Sequence, residues 1–497
     1  MTLVGRNARW RANQRAVKAQ QVPSRTTLVS SVLQRVRAKV NIDLELFLIS
    51  PELSPIFDHP CKALSQVVRM DPAATFANCQ ARPECNDDHE CQNGISQTGV
   101  QDLEKQIHER NNHGWRRIVL HFTPSWFSVT MGTGIVSILL HNMPFNGVWL
   151  YWLSVVVFCL NILLFVTFLS ISILRYSMFR GLFTAMIRHP VQSLFVGTFP
   201  MGLATIINMI VFVCVPAWGS WAAILAWVLW WIDAVISAAT CLYLPFIIQR
   251  VHDTSLDKMT AAWLLPIVST IVASASGGIV AEVLPNPQHA LWTTIVSYIL
   301  WGTGFPLAMV VMTMYFHRLT VHKLPPREVI VSVFLPLGPL GQGSFALMQL
   351  GKVAQKVFPV TGTFGKDSGR FFYYFGNYSA LIIWGYGTVW LFFAVASISR
   401  SRFPFNMGWW GFTFPLGVYT VSTAMLAKDI PSLFFEVLAT ILSISVVLLW
   451  LLVVIKTFQR AATGKLFLAP CVARYEEERV RNMLPSRSSS SQGTTTK

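Results

Sequence analysis

Five apolar stretches of the chain contain proline, glycine and hydroxyl side chains together, and these residues could interact with a small ion. The first stretch runs from His121 to Leu140, with Pro124 near its start and Gly132-Thr-Gly134 at its middle. Inside a bilayer, proline and glycine are tolerated where a neighbouring helix or a water-filled cavity satisfies the backbone groups that they free. Freed N–H groups, hydroxyl groups and the positive ends of helix dipoles bind anions weakly. The pattern therefore predicts a weakly binding anion pathway lined by broken helices.

The same combination recurs in alternate apolar stretches of the chain. Every odd-numbered stretch contains a proline within its apolar run, whereas the second and tenth stretches contain neither glycine nor proline. The sixth and eighth stretches do carry glycines, so the contrast is incomplete. Small residues also permit close helix packing, and each glycine therefore has a structural interpretation as well. The candidate pore-lining and kink residues are Pro124, Gly132, Thr133, Gly134, Pro200, Gly202, Pro266, Ser276, Gly277, Pro336, Gly341 and Pro415.

Basic and catalytic side chains are scarce inside these stretches, which limits the chemistry of the pathway. No Lys or Arg lies deep in any of them, whereas a tight dicarboxylate site is expected to use a bidentate arginine. Weak binding suits conduction, because a permeating ion must also leave. An intramembrane enzyme would need paired His, Asp or Glu at helical spacing, and the stretches contain no such pair. We therefore expect a transporter or channel, with no catalysis, metal or cofactor.

One acidic residue, Asp233, lies within an apolar stretch, in Trp230-Trp231-Ile232-Asp233. An ionisable residue inside a membrane span is a functional hypothesis by default, and here the function would be proton coupling. The alternative is a structural role, in which the carboxyl group hydrogen-bonds across a helix interface or to a kinked backbone. The sequence leaves both interpretations open.

The elements that position these residues are predicted to be membrane-spanning helices. Hydrophobic residues make up 53% of the 497 residues and charged residues only 12%, whereas soluble domains are about one quarter charged. We predict an all-α polytopic membrane protein with ten transmembrane helices, arranged as five hairpins around a central pore with the odd spans inside. The predicted spans are 122–141, 149–174, 191–214, 220–248, 261–283, 291–316, 329–350, 378–398, 409–427 and 433–456.

Basic residues predict the orientation of these spans. The formal net charge is +16, but Lys and Arg cluster at the N-terminus and in alternate short loops rather than in a nucleic-acid-binding patch. Short cytoplasmic loops attract positive charge, so both termini are predicted to be cytoplasmic. One loop disagrees, because 351–377 is predicted to be external yet contains Lys352, Lys356, Lys366 and Arg370.

The two ends of the chain differ in composition from the predicted transporter domain at 111–460. Residues 1–40 contain nine Lys or Arg and no acid, a composition shared by mitochondrial transit peptides and by disordered basic tails. Residues 41–110 include Cys79, Cys85 and Cys91, whose spacing is a poor match to a zinc site. We predict that 1–110 is a disordered basic and polar extension and that 461–497 is a disordered cytoplasmic tail.

Two motifs resemble those of the tellurite-resistance/dicarboxylate transporter family. They are Phe122-Thr-Pro-Ser-Trp-Phe-x3-Met131-Gly-Thr-Gly134 and Trp409-Trp-Gly-Phe-Thr-Phe-Pro415, and the resemblance covers residues 115–460. The form of the first motif and the run Asn406-Met-Gly-Trp-Trp410 are most similar to those of the fungal sulfite efflux pumps in this family. The resemblance implies a homotrimer with one pore per subunit and a plasma-membrane exporter of a small inorganic anion, sulfite or bisulfite. The alternative is a permease or channel for malate, another dicarboxylate or another small anion.

The second motif makes Phe414 the sharpest candidate residue. The motif resembles the ninth helix of the plant slow anion channels, which implies that a phenylalanine at the position of Phe414 plugs the pore. Pro415 cannot donate a backbone hydrogen bond, so the turn around it is opened and the preceding side chain can be redirected. The residues alone also allow Phe414 to pack between helices, and both interpretations are open at this point.

Overall fold

The computed structural model describes residues 114–476 except 253, 400–401, 465, 468 and 474. This part of the chain is helical and contains no β-strand. The predictions for residues 1–110, both the targeting segment and the cysteine cluster, lie outside the described residues, and so does the C-terminal tail from 477 onward.

Ten α-helices of twelve residues or more follow one another in the described part of the chain. Shorter helical turns connect or precede them. The ten helices are α1 Phe127–Asn142, α2 Val148–Met178, α3 Thr198–Met209, α4 Ser220–Arg250, α5 Leu265–Val283, α6 Pro287–His322, α7 Leu337–Thr361, α8 Ser368–Ser399, α9 Trp410–Asp429 and α10 Leu433–Ala462.

The described helices make the chain a polytopic membrane protein, but the predicted number of ten spans is not confirmed. Eight helical segments are long and apolar enough to cross a membrane, and a ninth is added if Gly114–Leu120 and Pro124–Asn142, bent by 83°, form one span. Helix α9 has 20 residues and is almost entirely buried, yet it is not among these segments. Since its side chains face other helices, α9 does not need an apolar surface toward lipid.

The predicted loop at 351–377 is wrong. Helix α7 continues to Thr361 and α8 begins at Ser368, so only six residues, 362–367, connect them. The ammonium groups of Lys352 and Lys356 reach the carboxylate of Glu282 at the end of α5, at distances of 3.0 and 2.7 Å. Long lysine side chains can extend to a polar partner while their stems remain on a helix, which explains the basic residues that disagreed with the charge rule.

The odd-numbered helices contact one another in a closed order. Helix α1 contacts α3 and α9, α5 contacts α3 and α7, and α7 contacts α9. In the spans that contain α3, α5 and α7, the most apolar stretch is 78%, 100% and 94% buried, whereas the even spans are only 17% to 39% buried there. The odd helices therefore form the interior, and the even helices expose apolar side chains around them.

Each contact between consecutive odd helices includes a glycine at which a Cβ atom would meet the neighbouring helix. At Gly341 the Cβ would lie 2.5 Å from the backbone nitrogen of Tyr419. Small residues let helix backbones approach closely, so these positions determine how tightly the odd helices pack. The glycines are Gly202 between α1 and α3, Gly197 between α3 and α5, Gly278 between α5 and α7, Gly341 between α7 and α9, and Gly417 between α9 and α1.

A 3₁₀ turn precedes each odd helix. Pro124 lies in the turn before α1, Pro336 lies directly before α7, and Pro200 and Pro266 lie in the first turns of α3 and α5. The missing N–H of proline is tolerated at these positions, because the first N–H groups of a helix have no partner within it. Of the five candidate prolines, only Pro415 lies beyond the first turn of its α-helix, as the sixth of 20 residues of the continuous helix α9. The prediction of odd helices broken near their middle by these prolines is therefore wrong.

Two arginines that the sequence places in loops belong to helix ends and are buried. Arg175 in α2 donates from Nε to the carbonyl oxygen of Leu120 at 3.0 Å. Arg318 in α6 donates from Nη2 to the carbonyl oxygen of Asp257 at 3.0 Å. These guanidinium groups therefore fix chain connections at this end of the molecule, which we call the basic end. The end that carries Glu282 is called the acceptor end.

Part of the segment predicted as a C-terminal tail packs at the basic end. The ring of Phe467 stacks on Trp126 with centroids 5.1 Å apart, and the amide of Ala469 donates to Nδ1 of His121 at 3.1 Å. Cys471 is buried beside Arg175, whose Nη2 lies 3.6 Å from its Sγ. The folded part of the chain thus extends beyond residue 461, where the tail was predicted to begin.

Replacing Gly341 by alanine is expected to destabilise the protein by about 1–3 kcal/mol, the usual cost of overpacking. The added Cβ meets the backbone of α9, which cannot rotate away as a side chain could. The matched control is Gly302→Ala on α6, where a Cβ has no heavy atom within 4 Å and alanine favours the helix. Melting temperatures of the detergent-purified variants measure the difference. Equal stability of the two variants would contradict this account of the α7–α9 contact.

Candidate functional site

A cavity of about 130 Å³ lies between the odd helices. Every odd helix contributes side chains to the wall, and α3 does so together with its π-helical continuation Ile210–Cys214. Apart from the adjacent Ala424 and Met425, the lining positions on each helix are three, four or seven residues apart, so they form one face of that helix. The wall includes Ile135, Ile138 and Asn142; Thr205, Asn208 and Phe212; Val272, Ile279 and Glu282; Gln342, Phe345, Gln349 and Lys352; and Phe414, Val418, Val421, Ala424, Met425 and Lys428.

Phe414 is the lining residue of α9 nearest the basic end. Its side chain is buried, and the lining face of α9 continues from it to Lys428 at the acceptor end. Fourteen residues of helix separate the two, a rise of about 21 Å at 1.5 Å per residue. Pro415 follows Phe414 inside the helix and cannot donate the backbone hydrogen bond of a regular turn. The phenyl ring of Phe414 therefore lies where the cavity-lining face of α9 begins, on the side toward the basic end.

The charged groups of the cavity wall lie at one end. At the acceptor end the wall includes Glu282, Lys352 and Lys428. Farther toward the basic end, aliphatic and aromatic side chains such as Phe414 are accompanied by the neutral polar side chains of Thr205 and Gln342. An ion at the acceptor end can therefore exchange its hydration for charged and amide groups, whereas Phe414 presents an apolar ring to an ion deeper in the cavity.

Side-chain amides, rather than hydroxyls, are the main neutral polar groups of the cavity. The hydroxyl of Thr205 donates to the carbonyl oxygen of Gly202 at 2.7 Å and lies 3.3 Å from the amide of Asn161. That hydroxyl is thus already engaged with its own helix and with α2. The amides of Asn208 and Gln342 also line the cavity, and Oδ1 of Asn208 is buried without a hydrogen-bond partner among the described residues. Such amides can donate N–H groups to an anion.

Phe414 is the one candidate residue from the sequence that belongs to the cavity wall as described. Thr133 accepts a hydrogen bond from the indole of Trp450 at 3.1 Å, so it joins α1 to α10. A Cβ at Gly134 would meet Thr205 and Asn161, and a Cβ at Gly277 would meet Ser297 and Trp230. Pro415 lies inside α9 and does not belong to the wall. The remaining candidates lie at helix contacts or helix starts: Pro124, Gly132, Pro200, Gly202, Pro266, Pro336 and Gly341.

Asp233 and Ser276 are buried away from this cavity. Asp233 lies on α4, is fully buried, and has no hydrogen-bond partner for either carboxylate oxygen within the described ranges. The structural interpretation of Asp233 predicted a hydrogen bond across a helix interface. The described residues do not form that hydrogen bond. The hydroxyl of Ser276 on α5 is also buried without a partner among the residues that the structure describes. Neither residue contributes to the cavity wall.

The sequence interpretation missed the polar residues of the wall, among them Asn142, Asn208, Gln342, Gln349 and Lys428. Each lies on the same helical face as its apolar lining neighbours. The signal was present as amides and lysines spaced three or four residues apart in the odd stretches and just beyond their predicted ends, for example Gln349 and Lys352 in α7. A search limited to proline, glycine and hydroxyl residues does not detect it.

Comparisons with known proteins agree with this architecture. A family model described as voltage-dependent anion channel matches residues 121–458. The sulfite efflux pump of Arthroderma otae is 51% identical over 373 residues, which cover 75% of this chain and 99% of that protein. The sulfite efflux pump of Trichophyton rubrum is 53% identical over 349 residues, or 70% of this chain and 93% of that protein. The malic acid transport protein of Schizosaccharomyces pombe is 25% identical over 338 residues, which cover 67% and 76% of the two chains.

A cysteine at Met425 is expected to react with a small water-soluble methanethiosulfonate, whereas one at Leu426 is expected to remain unmodified. Met425 lines the cavity one turn below the exposed Lys428, and its buried neighbour Leu426 does not. The unsubstituted protein provides the baseline for its own cysteines, of which Cys159 is exposed. Mass spectrometry of the intact protein measures the modification. Equal reaction at both positions would contradict a water-accessible lining face on α9.

Proposed function

This chain belongs to the voltage-dependent anion channel family, and we propose that it exports sulfite or bisulfite across the plasma membrane. The observation that carries the proposal is the closed ring of odd helices around one cavity. It is supported by sulfite efflux pumps that are more than half identical to this chain over almost their whole length. The proposed activity is transport rather than catalysis, since the matched family and these relatives are channels and transporters.

We propose that ten helices cross the membrane as five hairpins, with the odd helices around the pore and both termini in the cytoplasm. The contacts and burial of the odd helices support this arrangement. The orientation is supported by the arginines at the basic end, because cytoplasmic loops attract positive charge. The acceptor end would then face the outside. We also propose the homotrimer that the family resemblance implies.

Membrane potential supplies enough energy for this export. An inside-negative potential is worth about 2.3 kcal/mol per elementary charge per 100 mV. Monovalent bisulfite would therefore leave the cell without a second coupled ion. Asp233 does not line the described cavity wall. Under this proposal it is a candidate for proton coupling only if transport proves to depend on a proton gradient.

A dicarboxylate such as malate is the alternative substrate class, and one relative is named a malic acid transport protein. A dicarboxylate would be held best by two free cationic groups or by a bidentate arginine. In the described cavity wall the cationic residues are Lys352 and Lys428, and Lys352 is already paired with Glu282. One free cationic group fits a small monovalent oxyanion better than a dicarboxylate.

We propose that Phe414 is the gate of this pathway. Its ring lies in the cavity wall, directly before Pro415 in the chain. A buried, well-packed phenylalanine elsewhere on α9 provides the contrast: Phe412 packs edge-on against Phe334 with centroids 4.9 Å apart and is absent from the wall. A side chain with cavity on one side can rotate out of the path at less cost than one enclosed on all sides.

Residues 1–110 and the tail from 477 are proposed to be accessory segments. The family model begins at residue 121 and ends at 458. The proposed transporter domain, 111–460, contains both limits and all ten long helices, apart from the last two residues of α10.

Sulfite export is tested in cells that lack their own exporter and are loaded with sulfite. Expression of this protein is expected to increase the rate of sulfite appearance outside the cells several-fold, and to raise their tolerance of sulfite. Cells that express the protein are loaded with malate in parallel. Export of malate without export of sulfite would replace the proposal by its alternative.

Phe414→Ala is expected to raise sulfite flux per molecule at the cell surface, because removal of the ring widens the constriction. Phe412→Ala is the matched control and should lower surface abundance without raising flux per molecule. Its truncation leaves a cavity in a packed contact, at a cost of about 3–5 kcal/mol. Flux and surface abundance are measured on the same cells. Unchanged or reduced flux per molecule in Phe414→Ala would show that the ring is not a gate.

A further inference from the structure

Charged side chains gather at the acceptor end of the cavity, where three odd helices end. We propose that this end is an anion-binding vestibule in which Lys428 is the cation that contacts the transported oxyanion before its release. The inference rests on the proposed function, since it assigns a binding site to the same pathway. Lys428 comes from α9, and its partners in the wall come from α1, α5 and α7.

The hydrogen bonds and ion pairs of the Glu282 carboxylate are made to α7 and not to Lys428. Its Oε1 accepts hydrogen bonds from Lys356 at 2.7 Å and lies 3.0 Å from the ammonium group of Lys352. Its Oε2 accepts a hydrogen bond from the amide of Gln349 at 2.8 Å. Two lysines and one amide thus converge on a single carboxylate. This cluster joins α5 to α7 and carries one positive charge in excess.

Lys428 has no carboxylate within ion-pair distance in the part of the chain that the structure describes. Its Nζ donates a hydrogen bond to the neutral Oδ1 of Asn142 at the long distance of 3.4 Å. The next residue, Asp429, does not belong to the cavity wall. Within the cavity wall, Lys352 and Lys428 outnumber the acid Glu282 by one, so this end of the wall has an excess positive charge.

The surroundings of Lys428 fit a small oxyanion of single charge. Such an anion accepts hydrogen bonds from an ammonium group and from amide N–H groups at once, and Asn142 and Gln349 place amides in the same part of the wall. Lys428 is exposed to solvent as well as to the cavity. Water therefore screens its charge and keeps binding weak, as release from an export pathway requires.

A vestibule at the exit also binds anions that arrive from outside. External anion at high concentration should then occupy Lys428 and slow export. The external anion concentration that halves the export rate measures the affinity of the vestibule. The export rate without external anion measures passage past Phe414. Loss of one charge contact at about 4 Å in water corresponds to a change of about fivefold in affinity.

The first experiment measures anion binding to the purified protein and does not require transport. Melting temperatures of the wild type, Lys428→Gln, Lys428→Arg and Lys366→Gln are recorded against sulfite, nitrate, chloride and malate, with ionic strength balanced by gluconate. Lys366 is the matched control, because it is exposed at the same end but does not line the cavity. We expect at least one anion to stabilise the wild type, with a half-saturating concentration about fivefold higher in Lys428→Gln and unchanged in Lys366→Gln. Lys428→Arg should retain most of the binding.

The second experiment measures sulfite export by the same variants against increasing external anion. The half-inhibiting concentration should rise about fivefold in Lys428→Gln and stay at the wild-type value in Lys366→Gln. The vestibule is overturned if no anion stabilises the wild type more than Lys428→Gln, or if Lys366→Gln shows an equal change. A wild type that binds anions through Lys428 but exports no sulfite would instead refute the proposed function and leave the binding site supported.

Discussion

Close packing of five buried helices through glycine is the constraint on which the rest of the structure depends. At the contact of α7 with α9, Gly341 faces the backbone of Tyr419, and no side chain fits between them. Comparable glycines occur at all five contacts of the odd helices. Since the hydrophobic effect does not drive helices together within lipid, association depends on such close packing and on hydrogen bonds between helices. The glycines hold the odd helices close around the cavity.

The cavity wall and the helix contacts share residues of the odd helices, because Ile135 and Gln349 line the cavity and also meet the contact glycines Gly417 and Gly278. On α9, Gly417 packs against Ile135 of α1, while Phe414, Val421 and Lys428 face the cavity. Under the proposals made above, one pathway has a phenylalanine gate at Phe414 and a charged vestibule at Lys428. Both features suit a weakly binding anion pathway.

Basic residues have two different roles at the two ends of the molecule. Arg175 and Arg318 are buried and donate to backbone carbonyl oxygens, so their charge is used to hold connections at the basic end. At the acceptor end, Lys352 and Lys356 hold α5 to α7 through Glu282, and Lys428 alone lacks a carboxylate partner among the described residues. The net charge of +16 therefore overstates the charge that is available to attract an anion.

The sequence by itself determined the helical class, the alternation of smooth and interrupted apolar stretches, and the position of Phe414 before Pro415. Hydrophobicity and helical periodicity are local properties, and a run of about 20 apolar residues is sufficient to indicate a span. It did not determine which glycines would pack and which residues would line the cavity, because that choice depends on the rotation of each helix against its neighbours. It also placed Lys352 and Lys356 in a loop, because their carboxylate partner Glu282 lies about 70 residues away in the chain. Only the tertiary structure brings Glu282, Lys352 and Lys428 to one end of one cavity, since contacts between distant segments are set by packing and not by local pattern.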